Sequence, residues 1–207
     1  GSIGTYANNN TATPLSCFEI SNKQITNYKC NSNDIIIPKG ILGIADRAFY
    51  GAGLTSVVLS KSIKRIGEAA FANNEITQLE IPDSVKQIER HAFFGNKIKS
   101  LFIPDSVTDI GMSAFAYNEI MNVRLSENLV KINSVAFGYN KITHVQIPKN
   151  VTYIGMSAFR DNLISQLVIP ENVKTISMKA FAYNPIRNLT IPDPDIEIVL
   201  EAFACNN

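Results

Sequence analysis

Side chains able to do chemistry are few in this 207-residue sequence, so their spacing can be checked one by one. There are two histidines, His91 and His144, and three cysteines, Cys17, Cys30 and Cys205. No C-x-x-C or H-x-x-x-H pair occurs, which argues against zinc, and no glycine-rich loop offers its amides to a phosphate. His91 sits in Glu89-Arg90-His91, which reads as a solvated turn. His144 has no Ser or Cys nucleophile and carboxylate at a spacing that would build a triad. Carboxylates such as Asp83, Asp105 and Glu171 scatter over turn positions without converging. These residues predict no catalytic site, no metal and no cofactor. What remains is recognition chemistry, because an exposed aromatic beside Arg is the combination most often found to anchor an interface. Phe102, Arg124 and His144 carry it here, with Glu80 and Val168 beside them.

A repeat brings those five residues into relation. The segment Ile81 to Phe102, IPDSVKQIERHAFFGNKIKSLF, recurs with starts at Ile37, Leu59, Ile81, Ile103, Leu125, Ile147, Ile169 and Ile191, always 22 residues apart and without insertion. Seven residues after each start stands Ile, from Ile44 to Ile198, and eleven and twelve residues after it stands Ala-Phe, from Ala48-Phe49 to Ala202-Phe203. Further apolar columns run through Val85 and Val107, through Ile98 and Ile120, and through Leu101 and Val123. One unit cannot bury such a face alone. Stacked units can, each inward Leu, Ile or Phe contributing roughly 1.5–3 kcal/mol against an ordering cost of similar total size.

Spacing then assigns the elements. Leu101-Phe102-Ile103 alternates inward and outward as a strand does, and Pro104, with no N–H to give, ends it. Val85-Lys86-Gln87-Ile88 is a second extended piece, and Ala92-Phe93 folds back toward the core. No unit has room for a long helix. The predicted fold is a mainly β repeat solenoid of eight 22-residue units whose equivalent strands align as parallel sheets. Side chains flanking the inward Leu of each strand point out and differ from copy to copy. They form the candidate binding surface, with Phe102 beside Arg124 and His144 as its most distinctive patch. Asn stands sixteenth in seven units, from Asn74 to Asn206, and reads as a column that satisfies main-chain groups at a tight turn. Tyr117, Tyr139 and Tyr183 stand one residue before it and read as a coil-on-coil stack in preference to a carbohydrate platform.

Ile98-x-x-Leu101-x-Ile103 resembles the strand signature of leucine-rich repeats. Its continuation, Pro104-Asp105-Ser106-Val107 and then Ile110-Gly111-x-x-Ala114-Phe115, resembles the BspA-like (Treponema pallidum type) class of that family. In that class a Cys commonly follows the Phe by three residues, and here the slot holds Asn. The resemblance covers residues from Ile35 onward. It implies a leucine-rich repeat right-handed superhelix with a concave strand face, no enzymatic activity, and a secreted or cell-surface protein-interaction module of the kind bacteria use for adhesion or host interaction. The expected partner is a protein, host or extracellular-matrix proteins included, or a glycan. The alternative is a structural spacer in a larger surface protein, without a ligand of its own.

The remaining features bound that reading. A formal net charge of +1 gives no electrostatic case for nucleic acid, and no apolar run reaches the length of a membrane span, so no membrane insertion is expected. Residues 1–14, rich in Asn and Thr, read as a flexible leader that packs little. Residues 15–34 read as an N-terminal β-hairpin cap, with strands from Leu15 and from Gln24 around Ser21-Asn22-Lys23, covering the exposed end of the solenoid at 35–207. Cys17 and Cys30 lie on those two strands. Bonded, they would close a loop worth roughly 3 kcal/mol and place the protein outside the cytoplasm; reduced, they would pack as two small apolar side chains. Pro192-Asp193-Pro194-Asp195 marks the last unit as an altered coil. Sequons at Asn9, Asn150 and Asn188 are expected by chance in a chain this rich in Asn and Thr.

Overall fold

The computed structural model describes residues 11–206, so most of the expected leader and Asn207 lie outside the described residues. Each 22-residue unit closes one coil of a β-solenoid, and a coil has three faces. The first is a run of two-residue strands built on the invariant Ile, whose β-branched side chain suits a pleated surface. These strands align in parallel so that Ile25, Ile44, Ile66, Ile88 and Ile110 face one another in register, and then Ile132, Ile154, Ile176 and Ile198. Between Asp109–Ile110 and Lys131–Ile132 this ladder opens, and the Asn133 side-chain amide donates to the Ile110 carbonyl at 2.6 Å.

The second face carries the three-residue strands. Asp34–Ile36 pairs with Ser56–Val58, Ser100–Phe102 with Asn122–Arg124, and Gln166–Val168 with Asn188–Thr190, all in parallel. The continuous sheet expected from the repeat is thus divided. Residues 78–80 join neither neighbour, and 144–146 contribute only a bridge from His144 to Asn122.

The third face is a tight double turn around Ala-Phe. In the fourth coil Ser113 and Tyr117 both take a left-handed φ of 57°, and every other coil places its equivalents there. That conformation costs a non-glycine residue on the order of 1–2 kcal/mol, most for a β-branched one such as Val135. What it gains is direction. The N–H groups of Ser113, Phe115 and Tyr117 donate to Ser134, Ala136 and Gly138 of the next coil at 3.0–3.1 Å, while Ala114 and Ala116 donate back within their own coil. Coils therefore bond to one another on this face without a strand.

Inside, the column phenylalanines from Phe49 to Phe203 stack face to face, centroids 5.0–5.7 Å apart and planes within 12°. Buried Asn side chains tie the turn beside them. Asn118 donates to the carbonyls of Phe93 and Phe115 at 2.9 and 3.1 Å, and its Oδ1 accepts from the Ile98 N–H at 3.1 Å. Asn74, Asn96, Asn140, Asn162 and Asn184 repeat the pattern. A second Asn ladder, not evident from the repeat alone, joins Asn128 to the Asp105 carbonyl at 2.7 Å and Asn172 to Lys149 at 2.9 Å.

At the N-terminal end Phe18–Ser21 and Gln24–Tyr28 form an antiparallel hairpin around Asn22 and Lys23, both left-handed as a two-residue primed turn requires. Phe18 and Tyr28 close the phenylalanine stack against Phe49, with centroids 6.1 and 5.3 Å away. Leu15–Cys17 is a 3-10 turn following Pro14, where a strand was expected. The Cys17 and Cys30 sulfurs are joined, with Cα atoms 5.0 Å apart. Thr13, inside the expected leader, packs after all: it donates its N–H to the Ile36 carbonyl at 3.0 Å and accepts from the Ile36 N–H at 2.8 Å, covering that strand's free edge.

Asn118→Ala leaves the buried Ile98 N–H without a partner and takes one of two donors from the Phe93 and Phe115 carbonyls, so it lowers stability by about 2 kcal/mol, whereas Asn128→Ala on the exposed ladder costs less than about 1 kcal/mol. Urea denaturation of the two variants checks the difference. Replacing Cys17 and Cys30 together by Ser costs about 3 kcal/mol in the same measurement, through the cap.

Candidate functional site

Phe102 projects from its strand 60% exposed and lies directly opposite Arg124 in the ladder. The Arg124 guanidinium sits 4.8 Å from the ring centroid, donates through Nη1 to the Ile103 carbonyl at 3.0 Å, and pairs with Asp105 at 2.7 Å. Asp105 in turn accepts the Glu127 N–H at 2.9 Å. The Arg124 hydrogen bond, followed by the Glu127 amide, holds the Asp105 carboxyl below its ordinary value. Arg124 is thus a cation fixed on an aromatic face, and a partner meeting it has little side-chain ordering left to supply.

The other three predicted residues fall on either side of this ridge. Glu80 lines a depression of about 670 Å³ with Val58, Gln78 and Ser100. His144 and Val168 line another of about 540 Å³ with Gln146, Gln166 and Lys149, Val168 being 62% exposed. The depressions coincide with the places where the three-residue strands fail to pair, so the missing ladder is what gives the face its relief. The structure does not bring Glu80 or His144 to the Phe102–Arg124 pair. Sequence reasoning missed Asp105, which the repeat marks only as a turn residue, and Glu127. The Asp105 contact with Arg124 spans 19 residues, so no short motif signals it.

The aromatic column is a stack. Tyr117 and Tyr139 lie 4.3 Å apart with planes 7° from parallel, Phe94 meets Tyr117 edge-on at 5.3 Å, and Arg160 covers Tyr139 and Tyr183. Tyr117 and Tyr139 cover one face of each other and Arg160 covers Tyr139 and Tyr183, which takes those ring faces from a stacking sugar. His91 packs against Phe94 at 5.4 Å, its imidazole held below its usual pKa by burial and by Arg90. Among the described residues, no three His, Cys, Asp or Glu side chains gather as a metal cluster would require. No helix there is long and apolar enough to cross a membrane.

A succession of short strand, tight turn and L-x-x-L-x-L strand, stacked in register, defines a leucine-rich repeat solenoid. The sequence matches the model of the BspA type leucine rich repeat region in six copies, over 19–142 and 86–207, and the chain belongs to that family. No curated protein matches it. Among solved structures, a leucine rich cell surface protein from Faecalibacterium prausnitzii is similar at 18% identity and TM-score 0.57, the match covering 94% of this chain and 86% of that one. The T. pallidum leucine rich repeat protein is similar at 22% identity and TM-score 0.56, over 91% of this chain and 86% of that one. A leucine-rich repeat protein from Bacteroides ovatus gives 20% and 0.52, over 80% and 50%. These likenesses concern the fold.

The Asp105 pairing makes a pH prediction. A carboxyl with a lowered folded pKa contributes stability that is present above its unfolded value, near 3.8, and lost as pH falls through the folded one. Asp105→Asn therefore has a lower melting temperature than the wild type at neutral pH, and the gap closes as the pH is taken below 3.8.

Proposed function

We propose that the chain is a secreted or cell-surface recognition module that binds a protein partner through the face carrying its three-residue strands, in adhesion or host interaction. The observation that carries this reading is the Phe102–Arg124 ridge, pinned by Asp105 and Ile103 between two depressions. It combines an exposed aromatic, a pre-ordered guanidinium and concave flanks, the features of an interface hot spot. Variation supports it as well. On this face the coils differ at each outward position while the Ile, Ala-Phe and Asn columns do not, as expected where packing places no demand. The family and the cell-surface description of the F. prausnitzii structure support the location, as does the Cys17–Cys30 bond. The reading assigns no catalytic step to any residue.

The test is a binding screen of the purified chain against extracellular-matrix proteins and glycans, beside a Phe102→Ala, Arg124→Ala double variant of matched melting temperature. Saturable binding to a protein that weakens at least about tenfold in the variant supports the reading. Binding the variant retains removes this face from it, capture of glycans alone replaces the protein partner, and no binding at all favours a structural spacer.

A further inference from the structure

Two columns change charge along the solenoid, at the corner where each coil passes from its three-residue strand to its short one. The first holds Lys39 and Lys61 and then, from the third coil on, a carboxylate in every coil but the sixth, where Lys149 stands. The second, three residues further on, runs from Lys23 of the cap past Leu42 to Lys64 and Lys86, and then to Thr108 and Val130. Its members are bonded coil to coil: the Leu42 N–H donates to the Lys23 carbonyl, Lys64 to Leu42 and Lys86 to Lys64, at 2.7–2.8 Å. All five lysines are exposed. Among the described residues none of the five forms an ion pair, with Asp83 or any other carboxylate, whereas Lys97, Lys174 and Lys179 each do. Residues 1–10 contain no Asp or Glu that could supply one. The repeat is its own control here, since later coils fill both positions with other residues and the fold requires lysine at neither.

We propose that this corner is a second binding surface, one that takes an acidic polysaccharide. Three observations select that occupant. The first is shape. The lysines stand in two rows along the solenoid axis, and Lys23 to Lys86 spans three steps between stacked strands, about 14 Å at the usual spacing, so a linear polyanion lying along the corner meets them in turn. The second is the kind of cation. An ammonium is a compact, hydrated point charge that suits isolated sulfate or carboxylate groups. The segments 39–42, 61–64 and 83–86 contain no arginine and no aromatic, the residues that anchor a protein partner or stack a nucleobase. The third is what lies between the lysines. Lys39 and Lys61 flank a depression of about 720 Å³ lined by Val58, Leu59, Ser60 and Ser62. The Ser62 hydroxyl donates to the Ile41 carbonyl at 2.7 Å, so the contact between Ser60 and Ser62 at 3.2 Å is a donation from Ser60. Both protons are thereby used, and the oxygens present lone pairs. Those lone pairs suit the hydroxyls of a sugar, and a bare polyphosphate has no donor to give them, while Val58 and Leu59 offer an apolar floor to the C–H groups of the ring.

The probe is heparin, a sulfated polysaccharide, titrated calorimetrically into the whole chain beside uncharged dextran, polyphosphate and phosphatidylglycerol vesicles. Heparin binds saturably, with an affinity that falls as salt is added, and dextran does not bind. Polyphosphate of equal charge binds at least about tenfold more weakly than heparin. Lys61→Gln with Lys64→Gln weakens heparin binding at least about tenfold at unchanged melting temperature. Lys131→Gln with Lys174→Gln, an equal loss of charge on later coils, leaves it unchanged. Phe102→Ala with Arg124→Ala also leaves it unchanged, so this surface and the proposed protein-binding one fail separately. Absence of heparin binding, equal loss in the two lysine pairs, or polyphosphate bound as tightly as heparin overturns the proposal. So does tighter binding to the vesicles than to heparin, which assigns the corner to an anionic membrane surface.

Discussion

The carbonyl oxygen of each column phenylalanine lies where no strand reaches, and the whole stack depends on giving it a donor. From Phe71 to Phe181 a side-chain amide from the same coil and one from the next coil meet it, as Asn96 and Asn118 do at Phe93. Both bonds hold only if consecutive Asn residues fall 22 residues apart, and a single insertion would leave buried main-chain groups unpaired at about 1–3 kcal/mol each. The unbroken repeat length is thus a consequence of hydrogen-bond satisfaction as well as of apolar burial. The same bonds hold the double turn in its left-handed conformations, which isolated side chains such as Val135 or Tyr139 would not choose.

Columns of one residue type were legible in the sequence because their side chains do one job in every coil. Ile88, Ala92-Phe93 and Asn96 repeat, and each falls where its column predicts. The left-handed turn positions were not legible, since they are filled by Arg47, Ala69, His91, Ser113 and Val135, residues with no common side-chain property. There the backbone bonds to the next coil do the work, and any side chain that can point outward is accepted. The division of the strand face had no signature either. Gln78-Leu79-Glu80 keeps the same alternation as Ser100-Leu101-Phe102, yet only the latter pairs, so the opening is set by coil-to-coil fit that an individual unit does not encode.

The proposed recognition face was partly legible for the same reason. Phe102 and Arg124 were visible as outward residues of neighbouring strands, and the ladder places them side by side. Their fixation was not, because Asp105 belongs to a turn whose sequence, Pro104-Asp105-Ser106, differs little from Pro82-Asp83-Ser84. Arg at 124, where the preceding coil has Phe102, gives that carboxylate its cationic partner. The proposed site thus joins a structural turn residue to a variable one.

Because each coil touches only its neighbours, the solenoid separates these roles cleanly. A substitution at an outward position of the fourth or fifth coil perturbs the two adjoining coils and leaves distant ones alone, so surface chemistry can change at little cost to the core. The short-strand ladder opens once, at Asn133, and the three-residue strands open around residues 78–80 and 144–146. Where the three-residue strands open around residues 78–80 and between the fifth and sixth coils, the short-strand ladder stays paired. Between the fourth and fifth coils both faces open, down to one Asn122–His144 bridge, and the tight-turn bonds from Ser113, Phe115 and Tyr117 hold the coils together. Relief on the strand faces is therefore compatible with stability because the tight turn bonds each coil to the next at every junction, as Phe115 does to Ala136, which lets the solenoid carry depressions without a break in its core.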